Sequence, residues 1–274
     1  MTSVAIYLLA GVAAGLVSGL FGLGGGLTIV PALVVALPLE GVAPLHIMHL
    51  AIGTSLVVMF VTALYTTVLR HRRGDMIWPL FRRLALWVVV GAALGAFIGG
   101  LLPGHILRVF FVGFVAYTIL RALRRRYAGT GKAEAPATAD LTPTMPSAAG
   151  LWGYGIATGL SGALLGAGAA IITVPYLRAA GYRMQTASAI AAGLSAVIGI
   201  GAGAGYVIGG MAEAGLPAAA LGYLYLPAFA GLAAGALIGS PLGVRISHRL
   251  NEDVQFWLFL AYLAVVLSVM LSRH

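Results

Sequence analysis

The sequence predicts an all-α polytopic membrane protein made of two inverted-topology repeats with about five apolar segments each. Hydrophobic residues form 61% of the 274-residue chain and charged residues only 8%, too few to cover a soluble domain of this size. Several apolar runs can cross a hydrocarbon core of about 30 Å, which takes roughly 20 helical residues. They are continuously apolar rather than alternating, which argues against transmembrane β-strands.

A glycine-rich signature occurs twice and supports the internal repeat. The first copy is GLVSGLFGLGGGLTIVP, from Gly15 to Pro31, and the second is GLSGALLGAGAAIITVP, from Gly159 to Pro175. Equivalent positions in the two copies are 144 residues apart throughout. A glycine-broken apolar segment at matching positions of two halves is the best sequence indication of a transporter's substrate site.

The apolar segments divide the chain into two membrane repeats and a linker. The predicted segments are 4–22, 26–37, 47–69, 84–102 and 106–120 in the first half, and 150–165, 169–180, 186–210, 217–243 and 254–272 in the second. Residues 1–126 form the first repeat, 127–149 a linker rich in Ala, Thr, Pro and Gly, and 150–274 the second repeat. Because the first two segments of each half are short, we expect glycine-broken or re-entrant helices that meet at the midplane. Whether the first segment of each repeat spans fully or re-enters is left open.

The basic residues indicate topology rather than nucleic-acid binding. The net charge is +9, but the Lys and Arg residues lie in short connections between apolar segments, as in the positive-inside pattern. Five crossings per half, an odd number, would give the two halves opposite orientations, and the basic connections then place the linker in the cytoplasm and both termini outside. The connection with Glu40, His46 and His49 then lies outside, and its repeat counterpart with Arg178 and Arg183 lies inside, as an inverted repeat requires.

The predicted substrate site is an anion site at the two glycine clusters. A helix that restarts after a break exposes unpaired N–H groups and the positive end of its dipole. Neighbouring hydroxyls supply further donors, although Ser and Thr in membrane helices also bond their own backbone. The competing interpretation of the glycines is close helix packing. The candidate substrate-binding residues are Gly22, Gly24, Gly25, Gly26, Thr28, Ser55, Gly166, Gly168, Ala169, Thr173 and Ser195.

The charged residues disfavour cation and metal chemistry. All seven acidic residues lie in connections or at segment ends, and no arginine is a candidate for burial. The chain has no cysteine, so disulfides and thiolate sites are excluded, and no cofactor is expected. His46 and His49 share a helix face and are candidates for proton coupling, but as a metal pair they lack a third ligand.

The doubled Gly-Leu-(x)6-Gly-x-Gly-(x)5-Val-Pro element, with the segments from Ala51 to Ser55 and from Ala191 to Ser195, resembles the sulfite exporter TauE/SafE family, also called the toluene-sulfonate uptake permease family. The resemblance covers nearly the whole chain. It implies a multi-pass carrier of the bacterial inner membrane for sulfite, sulfonates or sulfoacetate. It also transfers site roles to nine residues, namely Gly22, Gly24, Gly25, Thr28, Pro31, Gly166, Gly168, Thr173 and Pro175. The second copy departs from the first, with Ala169 and Ala170 in place of Gly25 and Gly26.

The predicted function is secondary transport of a small sulfur-containing anion across the lipid bilayer, with export favoured. A potential of about 100 mV, negative inside, drives a monovalent anion outward by roughly 2.3 kcal/mol, so an exporter needs no coupling ion. Transport of another small organic anion and a membrane assembly role without substrate are the alternatives. An intramembrane enzyme is disfavoured because no Ser/His, paired Asp or His cluster is expected at membrane depth. The sequence leaves monomer and homodimer open.

Overall fold

The computed structural model describes residues 2–22, 24–127 and 148–272. The predicted linker 127–149 therefore lies outside the described residues, apart from its two ends. The described helices and strands are α1 (Thr2–Phe21), α2 (Gly26–Ala36), a 3-10 helix (Leu37–Glu40), α3 (Pro44–Arg72), α4 (Trp78–Leu101), α5 (Gly104–Tyr127), α6 (Ala148–Leu165), α7 (Ala170–Ala179), α8 (Met184–Gly210), β1 (Ala220–Leu221), β2 (Leu224–Tyr225), α9 (Leu226–Ser247) and α10 (Glu252–Ser272).

The prediction of an all-α polytopic membrane protein is confirmed. Six of the described helices are long and apolar enough to span a bilayer, namely α3, α4, α5, α8, α9 and α10. The ninth predicted segment begins too early, because residues 217–225 form a turn and a short antiparallel hairpin before α9. The turn of this hairpin contains Gly222 at φ 54°, a left-handed conformation that suits glycine.

The first helix of each half packs against the fourth helix of the other half. α1 packs along α9, and α4 packs along α6. Glycines four residues apart form ladders that make these contacts possible, namely Gly11, Gly15 and Gly19 in α1 and Gly91, Gly95 and Gly99 in α4. A Cβ on Gly15 would overlap the Ala236 carbonyl, and a Cβ on Gly91 would overlap the Ile156 carbonyl. Small residues at such positions allow two helix backbones to approach closely. The ladders therefore hold the two halves together by packing.

The third helices of the two halves form the centre of the bundle. α3 and α8 run antiparallel, since Gly53 of α3 faces Tyr223 beyond the end of α8, and Gly193 of α8 faces Phe81 beyond the end of α3. Most of their residues are buried, whereas α5 and α10 keep most of their apolar side chains on the outer surface. A bilayer would cover those outer faces.

The two ends of the bundle differ in charge. We call the end where α3 finishes the Arg70 end, and the end where α3 begins the Glu40 end. Nearly all described arginines lie at or near the Arg70 end, in the order Arg70, Arg72, Arg73, Arg82, Arg83, Arg121, Arg124, Arg178, Arg183, Arg245 and Arg249. At the Glu40 end, Arg108 donates to the Met270 carbonyl at 2.6 Å. This asymmetry is of the kind that the positive-inside rule associates with a cytoplasmic face.

The packing account predicts different outcomes for two glycines of the bundle. Gly15→Ala should lower the melting temperature in detergent, because the new Cβ would force α1 away from α9. Gly201→Ala, in α8 with no atom within 4 Å of the added Cβ, should leave it unchanged or raise it slightly. Equal melting temperatures for the two variants would contradict the packing account.

Candidate functional site

The chain between α1 and α2 turns back through glycines in the left-handed region. Gly22, Gly24 and Gly25 have φ values of 75°, 68° and 82°, which residues with a Cβ rarely adopt. The 20 residues of α1 span about 30 Å, and α1 ends at the Arg70 end, where the Gly19 carbonyl accepts a bond from Arg70. The 11 residues of α2 return only about 17 Å.

The break between α6 and α7 has the same place in the second half but different backbone geometry. Gly166 has φ 61°, whereas Ala169, the residue before α7, has φ −65°. Its counterpart Gly25 is left-handed at φ 82°. The second break can therefore carry alanine where the first requires glycine, which explains the departure of the second sequence copy from the first.

The two breaks touch each other at mid-length of α3. A Cβ on Gly26 would overlap the Gly166 carbonyl oxygen and come within 3.0 Å of the Ala167 Cα. The Ser55 hydroxyl donates to the Gly166 carbonyl at 2.9 Å and lies 3.3 Å from the Gly26 carbonyl. Ser55 is therefore the side chain that joins the start of α2 to the second break.

A serine of α8 has the corresponding position on the other side of the contact. The Ala169 N–H donates to Ser195 Oγ at 2.9 Å, and the Ser195 hydroxyl donates to the Ala191 carbonyl at 2.8 Å. Ser55 and Ser195 thus give their hydroxyl protons to protein carbonyls in this structure. Ser195 orients the backbone of the second break.

The start of α7 offers unpaired backbone donors. No side chain caps this helix, and its N–H bonding begins with Ile172 and Thr173, which both donate to the Ala169 carbonyl. Among the described residues, the Ala170 and Ile171 N–H groups have no hydrogen-bond partner. Such groups at a helix start, at the positive end of the dipole, favour an anion.

The start of α2 follows the same pattern. It has no side-chain cap, and Thr28 and Ile29 donate their N–H groups to the Gly25 carbonyl. The Gly26 N–H has no partner among the described residues. Two helix starts with free donors therefore lie side by side inside the protein, screened from lipid by α3 and α8.

The two candidate threonines differ in their surroundings. Thr28 Oγ1 lies 3.0 Å from the Tyr262 hydroxyl of α10. Thr173 is fully buried, and its hydroxyl neighbours that of Tyr154 without forming a hydrogen bond of normal geometry with it or another described residue. Of the four candidate hydroxyls, that of Thr173 is the one not already hydrogen-bonded.

The site is closed around the first break. A Cβ on Gly24 would lie 2.6 Å from Met59 Cγ and 3.2 Å from Ser195 Cβ, and one on Gly22 would lie 2.9 Å from the Ser188 carbonyl. An anion can reach the free N–H groups only if α2 moves relative to α7 or Met59 changes its rotamer. Met59 is a flexible side chain suited to such a movement.

His46 and His49 lie near the Glu40 end of α3, away from the breaks. Both are buried, and His49 Nε2 lies 3.0 Å from the Leu102 carbonyl while its ring stacks on Tyr223 at 4.9 Å. Six residues of helix separate His49 from Ser55, about 9 Å along the axis. No group of three metal-ligating side chains occurs in the described part of the chain.

Glu40 ties the end of α2 to the hairpin that precedes α9. It accepts a hydrogen bond from the Tyr225 hydroxyl, and burial together with this contact raises the pKa of Tyr225 to about 12. The Tyr225 N–H donates in turn to Thr54 Oγ1 at 2.9 Å. The Glu40 end is thus closed by polar contacts between both halves.

The expectation of no buried arginine is wrong. Arg70, in the last turn of α3, is 2% exposed, and its Nη2 donates to the Gly19 carbonyl at 3.1 Å. Helical geometry places Arg70 on the same face as Thr66 and Ala63, which are also buried. The spacing of these three residues was the sequence signal for a buried Arg70. It becomes informative only once this face of α3 is known to lie against α1.

Comparison with known proteins identifies relatives over almost the whole chain. The family described as Sulfite exporter TauE/SafE matches residues 7–270. A probable membrane transporter protein of Haemophilus influenzae is 32% identical over 267 residues, covering 96% of this chain and 97% of the relative. Another, of Xylella fastidiosa, is 34% identical over 184 residues, covering 67% of this chain and 65% of the relative. No solved structure matches the chain.

Proposed function

The chain belongs to the sulfite exporter TauE/SafE family and is a multi-pass membrane transporter. On that premise we propose that it exports a small sulfur-containing anion, of the sulfite, sulfonate or sulfoacetate type. We place the bound anion where the two helix breaks meet. The observation that carries the proposal is the side-by-side position of two uncapped helix starts at mid-length of α3 and α8.

Backbone donors suit this substrate class. A sulfite or sulfonate group presents three oxygens in a compact cluster, and the N–H groups of Gly26, Ala170 and Ile171 have no partner among the described residues. Glycine at positions 24–26 presents no side chain to an approaching anion once the two breaks part. The charge of the anion would be met by two helix dipoles rather than by a cation at the same depth. Family membership supports sulfur, because backbone donors alone would accept other oxyanions.

The helix pairing supports an inverted repeat and a way to open the site. The equivalent helices α3 and α8 run antiparallel, and the pairs α1–α9 and α4–α6 exchange when the halves are exchanged. We propose that these pairs move against each other and part the breaks alternately toward each side, as in other inverted-repeat carriers. The Arg70 end would face the cytoplasm, with both termini outside.

A binding screen tests the proposal. Sulfite, sulfoacetate, taurine, sulfate and acetate should be compared by the rise in melting temperature that each gives in detergent. We expect a rise with sulfite or a sulfonate and none with acetate. If none of the five raises the melting temperature, an assembly role without substrate replaces transport; if acetate gives the largest rise, the substrate is another organic anion.

A substitution at the first break should remove that effect. Gly24→Ala places a Cβ between Met59 and Ser195, in the space that the anion needs, so we expect the substrate-induced rise to disappear. Gly74→Ala is the matched control, because Gly74 has a similar φ of 78° with no atom within 4 Å of an added Cβ. Both variants incur the left-handed strain of about 1–3 kcal/mol. A retained rise in Gly24→Ala would remove the first break from the binding site.

Because the chain has no cysteine of its own, single introduced cysteines can test the orientation in the membrane. Leu39→Cys, at a position 72% exposed beside Glu40, should react with an impermeant thiol reagent from outside. Ala179→Cys, exposed at the end of α7, should react only from the cytoplasmic side. Labelling of both cysteines from the same side would contradict the inverted repeat.

The driving force follows from the absence of acidic residues at the breaks. In proteoliposomes, an inside-negative potential set by potassium and valinomycin should accelerate anion efflux without a pH gradient. His46→Asn combined with His49→Asn should keep most of this acceleration, since both rings lie about two helical turns from Ser55. Efflux that ignores the potential and follows only a pH gradient would make these histidines the first candidates for proton coupling.

A further inference from the structure

We propose that a small cavity at the Arg70 end binds the anion through the Arg70 guanidinium before it reaches the first break. This inference rests on the proposed function, because the cavity would be the cytoplasmic entrance to the same pathway. Its volume is about 70 Å³, enough for a few water molecules or one small oxyanion. Its polar lining consists of Arg70, Gln185, Ser188, Ser247, His248 and Gln255.

Arg70 is a buried cation with unused donors. Its side chain is 2% exposed, yet the hydrogen bond to the Gly19 carbonyl occupies only Nη2, and Nε has no partner in the described part of the chain. The charge of Asp75, in the next connection, acts on Arg70, but the two form no salt bridge in the described part of the chain, and Asp75 Oδ2 is buried without a partner. Because no salt bridge pairs the guanidinium, a bound anion would lower the cost of burying its charge.

The start of α8 strengthens the positive potential in the cavity. Met184 and Gln185, in the first turn of α8, line it, and no side chain caps this helix of 27 residues. Burial and the nearby Arg73 lower the pKa of His248, so its ring is neutral at pH 7. Arg70 is then the charged member of the lining, and the helix dipole adds to its field.

The cavity adjoins the first break directly. Ser188 lines the cavity, and its carbonyl lies 2.9 Å from the position of a Cβ on Gly22. Leu20 lines it as well, and its carbonyl accepts a bond from Gln255 Nε2 at 3.1 Å. A small movement at Gly22 would therefore connect the cavity to the backbone donors of α2.

At the other end of the bundle, the position equivalent to Arg70 carries no cation in the described part of the chain. When the repeated segments that begin at Ala51 and Ala191 are aligned, Gly210 of α8 is the residue equivalent to Arg70 of α3. At Gly210 the hairpin fills the space, because an added Cβ would lie 2.5 Å from the Tyr223 nitrogen and 2.8 Å from the Gly222 carbonyl carbon. The cavity is therefore a property of the Arg70 end and not of the repeat.

A variant that removes the charge of Arg70 but keeps a donor for the Gly19 carbonyl separates a binding role from a structural one. Arg70→Gln keeps a donor for the Gly19 carbonyl, so a purely structural arginine would leave anion affinity unchanged. We expect the Kd for sulfite, measured by titration in detergent, to rise about ten- to hundredfold, the value of a lost charge-assisted hydrogen bond. Arg72→Gln, an exposed arginine at the same end, is the charge-matched control and should leave the Kd within about twofold.

A second pair of variants covers the case in which Arg70→Gln does not fold. Gln185→Glu places a carboxylate in the cavity, at a helix start where a negative charge is tolerated, and should also weaken sulfite binding about tenfold or more. Thr186→Glu adds the same charge to the same turn of α8 at a position outside the cavity lining, and should have a much smaller effect.

Transport and binding together separate the two proposals. If the wild-type protein transports sulfite but Arg70→Gln and Gln185→Glu match their controls, the cavity proposal is overturned and the proposed function stands. If it binds sulfite or sulfate in an Arg70-dependent way without transporting either, the cavity stands and the proposed function fails. If it binds neither anion, both proposals fail.

Discussion

At the centre of the molecule, Gly26 of α2 lies against the Gly166 carbonyl, and only a hydrogen atom fits between the two backbones. In a bilayer, the backbone groups freed by a helix break must be enclosed by protein, because lipid cannot satisfy them. The structure encloses both breaks between α3 and α8, the two most buried of the apolar spans. Ser55 and Ser195 satisfy part of the freed backbone. The remaining helices then pack around this pair.

Two kinds of glycine serve this arrangement, and backbone conformation separates them in part. Ladder glycines such as Gly15 and Gly91 are helical and meet the carbonyl of a neighbouring helix, so their role is close packing. Break glycines such as Gly24 and Gly25 are left-handed, so the chain itself requires them whatever their neighbours. Gly26, in the first turn of α2, is a break glycine that meets a carbonyl as the ladder glycines do, so the sign of φ identifies only the left-handed members of the breaks.

The sequence predicted the helical architecture, because this depends on local apolar length, and its clustered glycines coincide with the connections between α1 and α2 and between α6 and α7. It could not predict contacts that depend on which helix faces which. Arg70 looked like one more basic residue at a helix end, and its burial follows from the packing of α3 against α1. The same limit applies to Ser55, whose partner Gly166 lies 111 residues away. The hairpin at Gly222 was hidden because residues 217–225 carry no charged side chain and continue directly into the apolar sequence of α9.

The distribution of charge along the proposed pathway bears on direction. Arg70 and the start of α8 would make the Arg70 end attractive to anions, whereas Glu40 and Glu213 lie at the Glu40 end, where Arg108 donates to the Met270 carbonyl. With the Arg70 end in the cytoplasm, as proposed, the protein's field would favour loading inside and release outside, in the same sense as the membrane potential. A buried cation that bound the anion too tightly would slow its release into the breaks. The bond that Arg70 already makes to the Gly19 carbonyl lessens this problem, because it withholds part of the guanidinium from the anion. The same bond places that charge next to the first break, where the anion must pass.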